Sequence, residues 1–74
     1  METATDTGLA LTVNGEARSV PAGTTVAGLL ALIGLAERKV AVERNLEIVP
    51  RSAYASTVLA PGDAIEIVHF IGGG

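Results

Sequence analysis

Residues 9–35 read LALTVNGEARSVPAGTTVAGLLALIGL, and this stretch decides the fold. Leu9, Leu11 and Val13 alternate with Ala10, Thr12 and Asn14, the period of a half-buried strand. Asn14-Gly15 then supplies the two positive-φ positions of a type I′ turn. The return strand runs from Glu16 to Val20. A two-residue turn pairs Val20 with Leu9 but also sets Arg18 opposite Leu11. Either Arg18 lies at the sheet margin or a bulge shifts the register. Pro21-Ala22-Gly23 ends the hairpin, and Thr25 is placed to cap a helix. Val26, Leu29, Leu30 and Ile33 fall at i, i+3, i+4 and i+7, one apolar helical face. Gly34 fits the left-handed position after the helix, with Leu35 packing back on Leu30. Gly28 interrupts the helix where an acidic residue would complete a capping box. It reads as a tolerated weak spot.

Outward from this core, Val40 to Arg44 is a third strand, followed by a turn near Asn45-Leu46. Glu47-Ile48-Val49 is a short extended piece ended by Pro50, and Arg51 to Ser56 forms an irregular helical turn. Tyr54 is expected to cover part of the core. Pro61-Gly62-Asp63 launches a last strand, Ala64 to Phe70. Hairpin, helix, strand, short strand and final strand describe an α+β chain. A mixed sheet of four to five strands crossed by one helix is a β-grasp, or ubiquitin-like, architecture. Met1 to Gly8 is polar and aperiodic, and is expected to be a disordered leader. Residues 9–70 then form the domain, and 71–74 a flexible tail.

The chain has 74 residues, room for one small domain, and 49% of them are hydrophobic. With mean hydropathy +0.48, that favours a packed core over a disordered chain. Tyr54 and Phe70 are the only aromatics, so the core is aliphatic. There is no cysteine, which removes disulfides, cysteine-rich metal sites and side-chain thiol chemistry. A net charge of −3 argues against nucleic acid. No apolar run approaches the length of a membrane span, and cytoplasm is the expected compartment.

No enzyme site emerges. His69 is the single histidine, and neither a phosphate-binding loop nor a dinucleotide fingerprint occurs. Glu43, Glu47, Asp63 and Glu66 read as a solvated charged surface. The reactive candidate is the end, Ile71-Gly72-Gly73-Gly74. Glycine lacks Cβ and approaches other surfaces closely. Four extended residues reach about 13–14 Å, enough to carry a carboxylate into another protein's active site. The alternative is a terminus that merely frays. On the last strand Ile65 and Ile67 share one face, Val68 and Phe70 the other. Val68 and Phe70 are either a docking patch beside the tail or, for Phe70, a cap on the core edge.

Several segments together resemble one family. Val13-Asn14-Gly15-Glu16, Val20-Pro21-Ala22-Gly23-Thr24-Thr25-Val26, Glu47-Ile48-Val49-Pro50-Arg51-Ser52, Pro61-Gly62-Asp63 and Ile65-Glu66-Ile67-Val68-His69-Phe70 before the glycines are similar to the ThiS-type sulfur carriers of thiamine (thiazole) biosynthesis. The likeness spans Leu11 to Gly74. It departs from the family pattern at Gly28, where an acidic residue is expected, at Leu46, in place of a turn glycine, and at Tyr54, where tryptophan is common.

The resemblance implies a co-substrate rather than a catalyst, with no bound cofactor. A ThiF/MoeB-type adenylating enzyme would use ATP to convert the Gly74 carboxylate to an acyl-adenylate. Sulfur fed from a cysteine desulfurase or another donor would then give a thiocarboxylate. Thiazole synthase, of the ThiG type, would take that sulfur. Gly72, Gly73 and Ile71 would deliver the terminus, and Phe70 and Val68 would dock it. Carriers for molybdopterin or tRNA thiolation, and a non-carrier ubiquitin-like binding module, are the alternatives.

Overall fold

In a computed structural model of the protein, residues 8–36 and 38–69 are described. Five strands and one helix follow in the order β1 (Gly8–Val13), β2 (Glu16–Pro21), α1 (Val26–Leu32), β3 (Val40–Arg44), β4 (Glu47–Val49) and β5 (Ala64–His69), with a 3-10 turn at Arg51–Ala53 before β5. The sheet order is β2-β1-β5-β3-β4. β1 and β5 run parallel at the centre, and the other pairs are antiparallel. This is the mixed β-grasp sheet that the hairpin and helix periods anticipate.

Both hairpins close through two residues of positive φ: Asn14 (51°) with Gly15 (85°), and Asn45 (52°) with Leu46 (71°). The first pairs Leu9 with Val20 and Leu11 with Arg18, with no bulge. Arg18 stays exposed because β2 is the outermost strand. The strands begin at Gly8 and end at Pro21, one residue wider at each end than the alternation suggests. Proline, which has no N–H to give a ladder, is tolerated on an edge.

The helix starts as the capping chemistry requires. Gly28 N–H donates to Thr25 Oγ1 at 3.1 Å, Val26 N–H to Thr57 O at 3.0 Å and Ala27 N–H to Tyr54 O at 2.9 Å. The free donors of the first turn are thereby satisfied. At the other end Leu35 N–H reaches Leu30 O (2.8 Å) and Gly34 N–H reaches Ala31 O (3.3 Å), with Gly34 at φ 83°. That pair of bonds is a Schellman ending. A Cβ on Gly28 would lie 3.3 Å from Thr24 Cγ2, a tight fit against a movable methyl.

Val26, Leu29 and Leu30 are buried against Leu11, Val13, Val20, Val40, Val42, Val49, Ile65 and Ile67. Leu59 joins them from the loop before β5, and Ile33, Leu35 and Tyr54 pack on the margin. One sheet face is therefore covered by α1. On its other face Glu66 and Val68 of β5 are exposed.

Candidate functional site

Strand β5 occupies the middle of the sheet, between β1 and β3. Along β3, Ala41 is paired with Val68 and Val40 with His69. Tyr54 supports this end by donating its hydroxyl to Val40 O at 3.3 Å. Along β1 the backbone ladder stops early, with Thr12 opposite Ala64 and Val13 opposite Ile65. Asn14 extends it with its side chain. Ile67 N–H donates to Asn14 Oδ1 at 2.7 Å, and Asn14 Nδ2 donates to Ile67 O at 3.2 Å. A carboxamide standing in for a missing peptide unit keeps Ile67 paired beyond the end of β1. The spacing of Asn14-Gly15 signals the turn, but nothing in it signals this contact across 53 residues.

The alternation expected for β5 is present. Ile65 and Ile67 are buried, while Glu66 and Val68 face outward and Val68 is 58% exposed. Val68 thus lies on the face opposite the core. His69 is exposed at the strand end. Phe70, Ile71, Gly72, Gly73 and Gly74 lie outside the described residues. Val68 is the one expected site residue that the structure places.

The other end of β5 corrects one expectation. Asp63 is not part of a solvated surface; it is 5% exposed. Its Oδ2 accepts from Arg44 Nε and from Ala60 N–H, each at 2.8 Å, and its Oδ1 accepts from Asn45 Nδ2 at 3.0 Å. Asn45 in turn accepts from Ala64 N–H at 2.9 Å. Burial alone would push the Asp63 carboxyl up. The Ala60 N–H, the bonds from Arg44 and Asn45 and the Arg44 charge outweigh it and hold the group below its ordinary value. The network ties the β3–β4 turn to the start of β5, at the opposite end of that strand from His69. Its role is architectural. Turn chemistry alone explains an aspartate after Pro61-Gly62, and the partners Arg44 and Asn45 come from a distant segment.

An open groove of about 180 Å³ lies between β4 and the 3-10 turn, lined by Ile48, Val49, Pro50 and Ala53 with Arg44 and Glu47. It gathers no histidine and no paired carboxylates, and Arg44 is already engaged by Asp63. Among the described residues no group of His, Asp and Glu is arranged to hold a metal ion, and no helix is long and apolar enough to cross a membrane.

Comparison with known proteins adds four findings. The model of the ThiS family matches residues 11–74. A thiazole synthase of Paramagnetospirillum magneticum is 58% identical over 64 residues, 86% of this chain and 20% of that protein. The chain thus spans about a fifth of the length of the thiazole synthase relatives it matches. The sulfur carrier protein ThiS of Bacillus subtilis is 48% identical over 50 residues, 68% of this chain and 76% of that one. Among solved structures, the crystal structure of the thiamine biosynthesis protein ThiS from Geobacter metallireducens superposes with a TM-score of 0.76 at 38% identity. It covers 89% of this chain and 100% of that chain.

Proposed function

This chain belongs to the ThiS family, and from that premise we propose that it is a sulfur carrier of thiamine biosynthesis whose reactive group is the carboxylate of Gly74. The observation that carries the reading is a family match running through residue 74 on a chain with no other reactive candidate. A carboxylate is a poor acyl donor until one oxygen becomes a good leaving group. A ThiF/MoeB-type adenylating enzyme supplies that by transferring AMP from ATP to Gly74, with release of pyrophosphate. Sulfide, or a persulfide fed by a cysteine desulfurase, attacks the acyl carbon and expels AMP. Sulfide leaves the thiocarboxylate directly; a persulfide does so once a thiol cleaves its S–S bond.

This chain's own contribution is delivery. The Asn14 and β3 contacts hold β5 as far as His69, and delivery of the terminus is assigned to Ile71, Gly72 and Gly73. Val68, with Phe70 two residues on, offers the adjoining docking surface. The thiazole synthase relatives carry a domain like this one within the same protein, which supports thiazole synthase as the acceptor of the sulfur. The chemistry needs ATP from the partner enzyme and no cofactor on the carrier, and suits the cytoplasm.

Intact-mass measurement tests the reading. The full chain is incubated with the adenylating enzyme, ATP and sulfide, and replacement of one oxygen by sulfur is expected. Deleting Gly74, or substituting Gly73→Val, should leave folding unchanged and abolish the replacement, by misplacing the acyl carbon or stiffening and widening the stalk. Equal sulfur incorporation by the truncated and parent chains would mean that Gly74 is not the reactive group.

A further inference from the structure

The Asn14-Gly15 pair that turns the first hairpin also brings together an electrophile and a nucleophile. Glycine has no Cβ to crowd its nitrogen, so Gly15 N can attack the Asn14 side-chain carbonyl and close a five-membered imide. Both residues are exposed to water. Among the described residues no hydrogen bond engages the Gly15 N–H. The other asparagine turn, Asn45-Leu46, sets a much larger side chain beside the corresponding nitrogen.

The native turn holds the two groups apart. Asn14 and Gly15 stand at φ 51° and 85°, the pattern of a type I′ turn, whose first central residue has ψ of about +30°. At that angle the Asn14 Cβ and Gly15 N lie on opposite sides of the Cα–C bond. Ring closure needs them on the same side, and contacts with β5 oppose that rotation. Asn14 N–H donates to Ile65 O at 2.8 Å. Asn14 Oδ1 accepts from Ile67 N–H at 2.7 Å, and Nδ2 donates to Ile67 O at 3.2 Å. The nitrogen that would leave is itself held by the neighbouring strand.

We propose that Asn14-Gly15 is a deamidation site kept dormant by its attachment to β5, and that its conversion ends the hold on Ile67. Gly15 N gives up its proton and bonds to Asn14 Cγ. The Cγ–Nδ2 bond breaks, and Nδ2 takes a proton and departs as ammonia. Water then opens the imide, at Cγ to give an aspartate or at the backbone carbonyl to give an isoaspartate. One water enters, one ammonia leaves, and no oxidant or cofactor takes part. The aspartate has no donor for Ile67 O and places a negative charge beside it. The isoaspartate adds a carbon to the turn backbone, which the two-residue register does not accommodate. A chain that opens here long enough to react therefore cannot close as before. None of these steps requires the carrier chemistry.

The test compares rates within one molecule. The full chain is kept at mildly alkaline pH, either folded in buffer or unfolded in guanidinium chloride. Brief trypsin digestion then separates Asn14, in residues 1–18, from Asn45, in residues 45–51. Mass spectrometry follows the exchange of an NH for an O in each peptide, and chromatography resolves aspartate from isoaspartate. Unfolded, Asn14 should convert at least about tenfold faster than Asn45, and at least about tenfold faster than it does in the folded chain. The chain converted in guanidinium and then refolded, and Asn14→Asp, should both exchange the Ile67 amide about tenfold faster than the parent and unfold at lower denaturant. Equal rates in the folded and unfolded chains would remove the lock. Conversion of unfolded Asn14 no faster than Asn45 would remove the site, and unchanged Ile67 exchange after conversion would uncouple it from β5. Any of these results overturns the proposal.

Discussion

The carboxamide of Asn14 grips the backbone of Ile67 by both its N–H, at 2.7 Å, and its carbonyl, at 3.2 Å. One residue therefore sets the hairpin turn and anchors the strand that leads to the tail. Its φ of 51° satisfies the turn, and its side chain satisfies β5.

The two roles are separable. Asn14→Gly keeps the left-handed turn and removes both side-chain bonds, and should cost about 1–2 kcal/mol in chemical denaturation. Asn14→Ala should cost more, since alanine also resists positive φ. Amide exchange at Ile67 should accelerate in both. Wild-type stability and protection in Asn14→Gly would show that the clamp contributes nothing.

Asp63 predicts an acid-side loss of stability. Its carboxyl is held below the ordinary value in the fold, so the unfolded chain binds the proton more readily. Stability from this group is complete above the unfolded pKa of about 3.9 and is lost as pH falls through the lower folded value. Asp63→Asn should destabilise by about 1–3 kcal/mol at neutral pH, discounted because Arg44 is partly solvated. It should also flatten the pH dependence below about pH 4. A mutant whose acid limb parallels the parent's would place the titration elsewhere.

Leu46 stands at φ 71° and is 86% exposed. A leucine in the left-handed region costs about 1–2 kcal/mol, and no burial offsets it here. Leu46→Gly relieves that strain but loosens the unfolded chain by about 0.5–1 kcal/mol. The expected net result is a gain of up to about 1 kcal/mol. Loss of stability on this substitution would mean that Leu46 makes a contact worth more than its strain.

Leu30 is 3% exposed at the centre of the aliphatic core and also supplies the carbonyl that closes the helix. Leu30→Ala should cost about 2–5 kcal/mol from lost transfer energy and the cavity left behind. Urea unfolding measures it directly. A loss well under 1 kcal/mol would place the helix face wrongly.

Local rules made much of this molecule readable in advance. Thr25, the apolar spacing from Val26 to Ile33 and the Gly34-Leu35 ending describe a helix from contacts no more than five residues apart. The alternation at Leu9–Val13 and Ile65–Ile67 separates buried from open faces for the same reason. The closing glycines and the likeness of residues 11–74 to a carrier family likewise lie in the order of residues. Strand neighbours do not. Arg18 could be placed only once β2 proved to be an edge, and Asp63 looked solvated until Arg44 and Asn45 closed around it. Asn14 read as a turn residue until β5 came alongside. Periodicity reports which way a side chain points, because that depends on the backbone beside it. What it points at depends on pairing between distant segments, and that is decided by packing the whole sheet against one helix.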